Sequence, residues 1–380
     1  MSVRGVLALA ALALTCAACG GAANRAANVP PGSTSPQAGH GAPSASRGGH
    51  TNSSTRKRPG PRAGRGRAGT RHTNAVAPRP PVIVGIGDNR PGFLTDPRFL
   101  ALGVTHVRDD VPWDILREPL ALARLTVWLN DARREHLTAL ISFDHSGING
   151  RRRTLPTTAT FAAAFRAFRA RFPWVTEFVT WDEANFFLEP TARQPGRVAA
   201  YYLALRRDCS SCTILATDLL DLSGRRFAVP MIEWAREFLR YLPAQPAYWG
   251  LNNYVGANAL SSASTISLLR LVTGKIWFAE TAGVISDGGH AVEATAARLQ
   301  RQAAVDRYIV GQLAAVSPRI ERVYLYEWNA QSRRDTWDSA LISPDGVPRP
   351  AYHAVANLLA SWGMRALCLQ ARADATCRAG

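Results

Sequence analysis

The first 80 residues contain no acidic side chain at all, although they carry 11 of the 45 basic groups of this 380-residue chain. That absence relocates the formal charge of +17, since residues 81 onward hold 34 basic against 28 acidic groups. A nucleic-acid binder that uses its whole surface is therefore excluded, and no aromatic side chain interleaves with the arginines of Arg56 to Arg71 to stack on bases. Large apolar side chains are nearly missing from Gly20 to Pro80, which is Gly, Pro, Ser, Ala, Asn and Arg. Such a segment cannot offset its ordering entropy and is expected to be a disordered, self-repelling spacer. Beyond the N-terminus no run of about 18 apolar residues occurs, which excludes a polytopic membrane protein. With 47% hydrophobic residues overall, the remainder has enough material for a sizeable core.

The N-terminus reads as an export signal of residues 1–19, with Arg4 as the positive region, Val6 to Leu14 as a short apolar stretch, and small residues after it. Ala17-Ala18-Cys19-Gly20 resembles the end of a bacterial lipobox, although Cys16 stands where such signals prefer an aliphatic residue. Lipidation of Cys19 with membrane anchoring, ordinary cleavage and a retained anchor all remain open. Each places the protein outside the cytoplasm, as an envelope lipoprotein or in secreted form.

Cysteine is scarce: apart from Cys16 and Cys19 there are Cys209, Cys212, Cys368 and Cys377. An even count in an oxidising compartment suggests disulfides, and four cysteines allow three pairings. The local pairing, Cys209 with Cys212 and Cys368 with Cys377, closes the shortest loops. The CxxC could also be a redox pair or half a zinc site, but no second CxxC or paired His lies nearby, and no metal or cofactor is expected.

Residues 81–380 alternate β-type apolar runs with helical patterns, which argues for parallel βαβ units. Strands are predicted at Val82 to Gly87, Thr105 to Arg108, Leu137 to Phe143, Glu177 to Trp181, Thr213 to Thr217, Tyr248 to Asn253, Lys275 to Ala279 and Arg322 to Tyr326. Helices are predicted at Pro119 to Arg134, Thr158 to Arg171, Arg197 to Arg207, Pro230 to Tyr241, Ser261 to Leu271 and Glu293 to Ala315. Eight units at a mean spacing of about 34 residues fit an α/β fold, the eight-stranded parallel (β/α) TIM barrel. An open doubly wound sheet is disfavoured because no Gly-rich phosphate loop follows the first strand.

Each predicted strand ends in a polar residue. These are Asp88, Arg108 with Asp109, Asp144 with His145, Asp182 with Glu183, Asp218, Asn253 with Tyr254, Glu280, and Glu327 with Trp328. A barrel collects all such ends on one face, the catalytic one. Two segments stand out: Trp181-Asp182-Glu183-Ala184-Asn185, and Trp277-Phe278-Ala279-Glu280-Thr281-Ala282-Gly283. Each runs an apolar strand up to one Glu followed by small residues, which leaves room for a ligand. The two Glu residues are 97 positions apart, close to three βα units, so they face one another across the barrel mouth. Paired carboxyls are what glycoside hydrolysis requires, one protonated to assist the leaving oxygen and one ionised to attack. Asp144, His145 and Asp218 are either contacts to further sugar units or capping residues. Trp113 and Phe186 are candidate stacking surfaces.

These residues resemble the clan A glycoside hydrolases, retaining (β/α) barrel enzymes. Trp181-Asp182-Glu183-Ala184-Asn185 is similar to their Trp-Asn-Glu-Pro-Asn signature, and Trp277 to Gly283 to their Trp-x-Thr-Glu-x-Gly segment. The resemblance spans nearly all of residues 82–362 and implies Glu183 as acid/base and Glu280 as nucleophile. It implies carboxyls roughly 5 Å apart and retention of configuration. It further implies Arg108 as support for the nucleophile, Tyr254 as its hydrogen-bond partner, Trp328 as a floor for the sugar ring, and Asn253 beside them. The chain departs from the family at Asp182, where an Asn donates to the sugar 2-hydroxyl, and at Ala184, where a Pro stands. The departures leave three outcomes open: a different 2-substituent, a shifted pH optimum, or a barrel that has lost catalysis. The expectation is thus a monomeric retaining glycosidase acting on β-linked polysaccharide or oligosaccharide, against the alternative of a non-catalytic carbohydrate-binding lipoprotein.

Overall fold

A computed structural model of the chain describes residues 82–362 apart from residue 225. The export signal with Cys16 and Cys19, the spacer, and Cys368 and Cys377 lie outside the described residues. No helix among the described residues is long and apolar enough to cross a membrane.

The barrel strands are β1 (Ile83–Gly87), β2 (His106–Pro112), β3 (Thr138–Asp144), β4 (Glu177–Val179), β5 (Thr213–Leu215), β6 (Asp218–Leu220), β7 (Tyr248–Asn252), β8 (Lys275–Thr281) and β10 (Ile320–Tyr326). A separate antiparallel pair is formed by β9 (Ser286–Asp287) and β11 (Trp337–Asp338). The barrel pairings are all parallel, in the order β5-β4-β3-β2-β1-β10-β8-β7-β6. β5 and β6 are two halves of the predicted fifth strand, the first pairing with β4 and the second with β7. Between them Ala216 N donates to Tyr248 O at 2.9 Å and Gly250 N to Thr217 O at 2.8 Å, so the eight-stranded parallel barrel closes.

Period-2 alternation fills the interior in layers. At the base, Arg322 pairs with Glu177 and lies 3.7 Å over the Trp277 ring. Above sits an apolar layer of Leu140, Val179, Leu215, Trp277 and Tyr324. Gly85 is required here, because a Cβ would come within 2.7 Å of both His106 O and the Tyr324 ring. The outward faces pack on the helices. On α3 (Thr158–Arg171), Phe161, Phe165 and Phe168 surround Phe143, and Phe165 and Phe168 also contact Phe178. Each such ring stabilises the fold by about 1.5–3 kcal/mol. Thr157 caps this helix, accepting from Thr160 N at 3.1 Å.

The predicted helix at Glu293 to Ala315 begins later, as α8 (Ala296–Tyr308) behind the N-cap Thr295, and loosens into a π turn over Ile309–Leu313. The other helices that bear on the site are α2 (Pro119–Arg134), α4 (Pro195–Asp208) and α6 (Tyr254–Asn258). Cys209 and Cys212 form a disulfide in the turn between α4 and β5, with Cα atoms 5.4 Å apart. This bond is the local pairing expected for Cys209 and Cys212.

Candidate active site

The segment after β4 is held on both sides before it reaches Glu183. Thr180 N donates to Leu215 O at 3.3 Å, Asp182 N to Phe143 O at 2.6 Å and Ala184 N to Asp218 O at 3.1 Å. Asn185 pins the turn, its amide donating to Leu220 O and Val229 O at 3.0 Å each and its carbonyl accepting from Leu220 N. Trp181 is fully buried, its indole N–H reaching Glu189 at 3.0 Å. The outer residues of the motif therefore build the turn, and Asp182 and Glu183 are its working pair. Glu183 itself has φ +41°, a left-handed conformation that a non-glycine residue adopts only when its surroundings impose it.

On β8, Trp277 belongs to the interior layer and Glu280 reaches the interior guanidinium of Arg108. They are three positions apart, so strict alternation would send them to opposite faces. Register shifts against both β7 and β10 supply the extra residue that turns Glu280 inward. The small residues that follow serve the protein rather than a ligand. A Cβ on Gly283 would lie 2.5 Å from the Gln302 backbone of α8, and Ala282 and Ala184 are buried.

Arg108 is fully buried at the centre of the mouth. Its guanidinium donates to Glu280 Oε2 at 2.5 Å and to Asp182 Oδ1, and lies 3.4 Å from Asp218 Oδ2 and 3.6 Å from Asp110 Oδ1. Tyr254, at the start of α6, donates its phenol to Glu280 Oε1 at 2.8 Å. Both oxygens of Glu280 are thus held by donors. Among the described residues the Glu183 carboxyl accepts from the Asn252 amide alone, at 3.3 Å, while its backbone N–H donates to Asp218 Oδ1 at 3.2 Å. Ser142 donates to Asp182 Oδ1 at 3.3 Å.

These surroundings separate the carboxyls electrostatically. Burial raises Glu280 to about 7, with Arg108 and the Tyr254 hydroxyl pulling the other way. Burial and then the charge of Glu280 hold Glu183 well above the carboxylate range. Burial also lifts Asp218, to about 6, against the pull of Arg108. Asp182 stands well above its ordinary value through burial and the charge of Asp218. Of the two, Glu280 is the carboxyl whose hydrogen-bond donors favour the ionised form, and Glu183 the one whose surroundings favour the proton.

The other expected positions divide. Asp144 and His145 lie at the rim, where His145 Nδ1 is 2.7 Å from Glu189 and 3.7 Å from Asp144. Asn253 is buried as the N-cap of α6, and its neighbour Asn252 is the one that reaches Glu183. Trp328 is not brought to the mouth. It is fully buried against Phe93, Phe99 and Tyr352, with its indole on Asp96 at 3.3 Å. Tyr326, in register with the inward Arg322 and Tyr324, takes the place near Glu280. Trp113 and Phe186 are buried as well, Trp113 against a cavity that Ile115, Thr160 and Ala163 also line.

Asp88 joins the first strand to the last: Arg90 bridges it to Glu327 at 2.7 and 2.8 Å, and it accepts from Trp328 N and Asn329 N. The predicted second strand stops too early at Arg108. β2 continues to Pro112, so Asp110 shares the inward face with Arg108, while Asp109 faces the helices and burial holds its carboxyl well above the ordinary carboxylate range. Alternation from Arg108 would have identified Asp110, and alternation from Tyr324 would have identified Tyr326. Trp337, whose ring meets Tyr254 edge-on at 5.0 Å, carries no such signal.

No protein-family model and no curated protein sequence matches this chain. In three dimensions it is similar to native xylanase 10B from Thermotoga maritima, with TM-score 0.54, 10% identity, and 74% of this chain and 95% of that one covered. It is similar to an endo-1,4-beta-xylanase of Penicillium canescens, with TM-score 0.54, 12% identity, and 73% and 94% covered. A family 39 glycoside hydrolase from Bacteroides cellulosilyticus superposes with TM-score 0.50 and 16% identity over 74% of this chain but 64% of that one. At these identities the likeness is one of fold, the (β/α) barrel that these hydrolases share.

Proposed function

We propose that the protein is a retaining glycoside hydrolase that cleaves β-linked polysaccharide or oligosaccharide. The observation that carries the reading is the unequal dressing of two facing carboxyls: Glu280 holds a guanidinium and a phenol, and Glu183 holds a single amide. In the first step the Glu280 carboxylate attacks the anomeric carbon. The glycosidic C–O bond breaks, and the leaving oxygen takes the proton of Glu183. In the second, Glu183, now ionised, removes a proton from a water that attacks the same carbon, and Glu280 is released. Arg108 and Tyr254 hold the attacking oxygens in place and favour their ionised form. The fold shared with xylanases agrees with this assignment, as does an export signal for an enzyme meeting polymers in or beyond the envelope.

Incubation with activated 2-fluoroglycosides, followed by peptide mass mapping, is expected to label Glu280. Glu183→Gln should reduce turnover by about a hundredfold or more. Undiminished activity in Glu280→Gln and Glu183→Gln would sink the assignment. Saturable sugar binding with no turnover of any glycoside would instead establish the non-catalytic binding barrel.

A further inference from the structure

Although residues 81–380 carry more basic than acidic groups, the barrel mouth has the opposite sign. Asp110, Asp182, Asp218 and Glu280 crowd around the single guanidinium of Arg108, and Glu183 adjoins them without a cation of its own. The acidic face continues along the rim. Asp144 feels the charges of Glu189, Asp110 and Glu118, opposed by Arg152. A buried mouth with this excess of carboxyls focuses a negative potential on whatever enters.

Buried atoms without a partner at the mouth include the donors Arg108 Nε and Asn253 Nδ2 and the acceptors Asp144 Oδ1 and Asn252 Oδ1, and it is the Asn252 amide that holds Glu183. The two acceptors are matched by a ligand rich in donors. A protein pays for buried unpaired acceptors unless something that binds there satisfies them.

Asp182 occupies the most informative position. It shares Arg108 with Glu280, the two carboxyls accepting from different nitrogens of one guanidinium. A group one bond from the carbon that Glu280 attacks therefore lies beside Asp182. An amide there would donate to a 2-hydroxyl, whereas a carboxyl accepts from a cation.

We propose, on the reading of the site as a glycosidase, that the substrate is a β-linked glycan whose sugars carry free 2-amino groups, and that Asp182 selects it by pairing with the ammonium. Asp110 and Asp144 extend this preference along the rim to neighbouring amines. The groups facing Asp182 are Arg108 and Asp110 of β2, Ser142 of β3, Glu183, Asp218 of β6 and Glu280 of β8. Burial and then the charge of Asp218 hold the Asp182 carboxyl well above the ordinary carboxylate range. An ammonium supplies the missing positive charge, so binding releases a proton to solution.

The test compares matched β-1,4 oligomers of glucosamine, N-acetylglucosamine, glucose and xylose on the full-length chain. The fully amino oligomer should be cleaved with kcat/KM about a hundredfold above the others, the range expected for a desolvated charge pair. Calorimetry on Glu183→Gln in buffers of different ionisation enthalpy should show proton release with the amino oligomer only. Asp182→Asn should lower activity on the amino oligomer by about tenfold or more and raise it on the glucose oligomer.

Equal or better cleavage of the neutral or N-acetylated oligomers by the wild type, without proton release, would overturn the amino-sugar assignment while the glycosidase stands. Absence of turnover on every oligomer, with no label on Glu280, would remove the glycosidase reading and this one with it. The wild-type preference and the proton count decide the matter even where Asp182→Asn fails to fold.

Discussion

Tyr254→Phe removes one hydroxyl and tests the proposed division of labour between the two glutamates. The phenol donates to Glu280 Oε1 at 2.8 Å, in a buried site where its own proton is held well above the ordinary tyrosine range by burial and by the charge of Glu280. It therefore remains a donor at every pH of interest. A hydrogen bond to a charged group contributes about 1.5–3 kcal/mol. At 1.36 kcal/mol per unit its loss should raise Glu280 by about one to two units. The carboxyl starts at about 7. The acid limb of the kcat/KM profile should accordingly move from about 7 to about 8 or 9.

At pH 7 the ionised fraction of Glu280 would fall from about half to between about a tenth and a hundredth, and the rate loss of roughly 5- to 50-fold should shrink as the pH rises. The assay is a pH series from 5 to 10 on an aryl β-glycoside with wild type and variant in parallel. A loss that is constant with pH, with the acid limb unmoved, would mean that Tyr254 acts only by packing on Trp337 and that Glu280 is not the ionised partner.

Two further predictions address stability. Asp306 of α8 is fully buried, accepts from Gly283 N at 2.6 Å, has Oδ2 unpaired, and is raised by burial from 3.8 to about 7. The native state thus binds a proton that the unfolded chain has lost, and stability falls as pH rises between about 4 and 7, by up to about 4 kcal/mol for this group. Asp306→Asn should flatten that part of the pH dependence in thermal melts at pH 4.5 and 8, and parallel curves would contradict it. Trp328→Ala should cost about 3–5 kcal/mol through the cavity left among Phe93, Phe99 and Tyr352. Its effect should appear in Tm, and unchanged Tm with lost sugar binding would return Trp328 to the site.

The barrel was legible because its signals repeat: apolar runs at even spacing, each ending in a polar residue, leave few alternatives. The separation of Glu183 from Glu280 was legible for the same reason, as a count of units. What escaped was local geometry that depends on a neighbouring strand. The bulges that turn Glu280 inward require the register of β7 and β10, which Trp277-Phe278-Ala279-Glu280 does not encode alone. Trp328 was misplaced because a tryptophan after a strand reads alike whether the chain next turns inward or outward, and only the packing of Phe93 and Phe99 decides.

Asp110 was within reach of strict alternation had the second strand been carried to its full length, and Tyr326 was already the last residue of the predicted eighth strand. Their recovery changes the chemistry of the mouth. With Asp110 added, the carboxyls around Arg108 outnumber the one guanidinium among them, an arrangement that a further cation would complement. The substitution of Asp for Asn at position 182 is then consistent with selection for an ammonium, so loss of catalysis is not needed to explain it. The basic N-terminal segment conceals this in any whole-chain average, because the acidic groups that matter are gathered by the barrel from strands far apart in sequence.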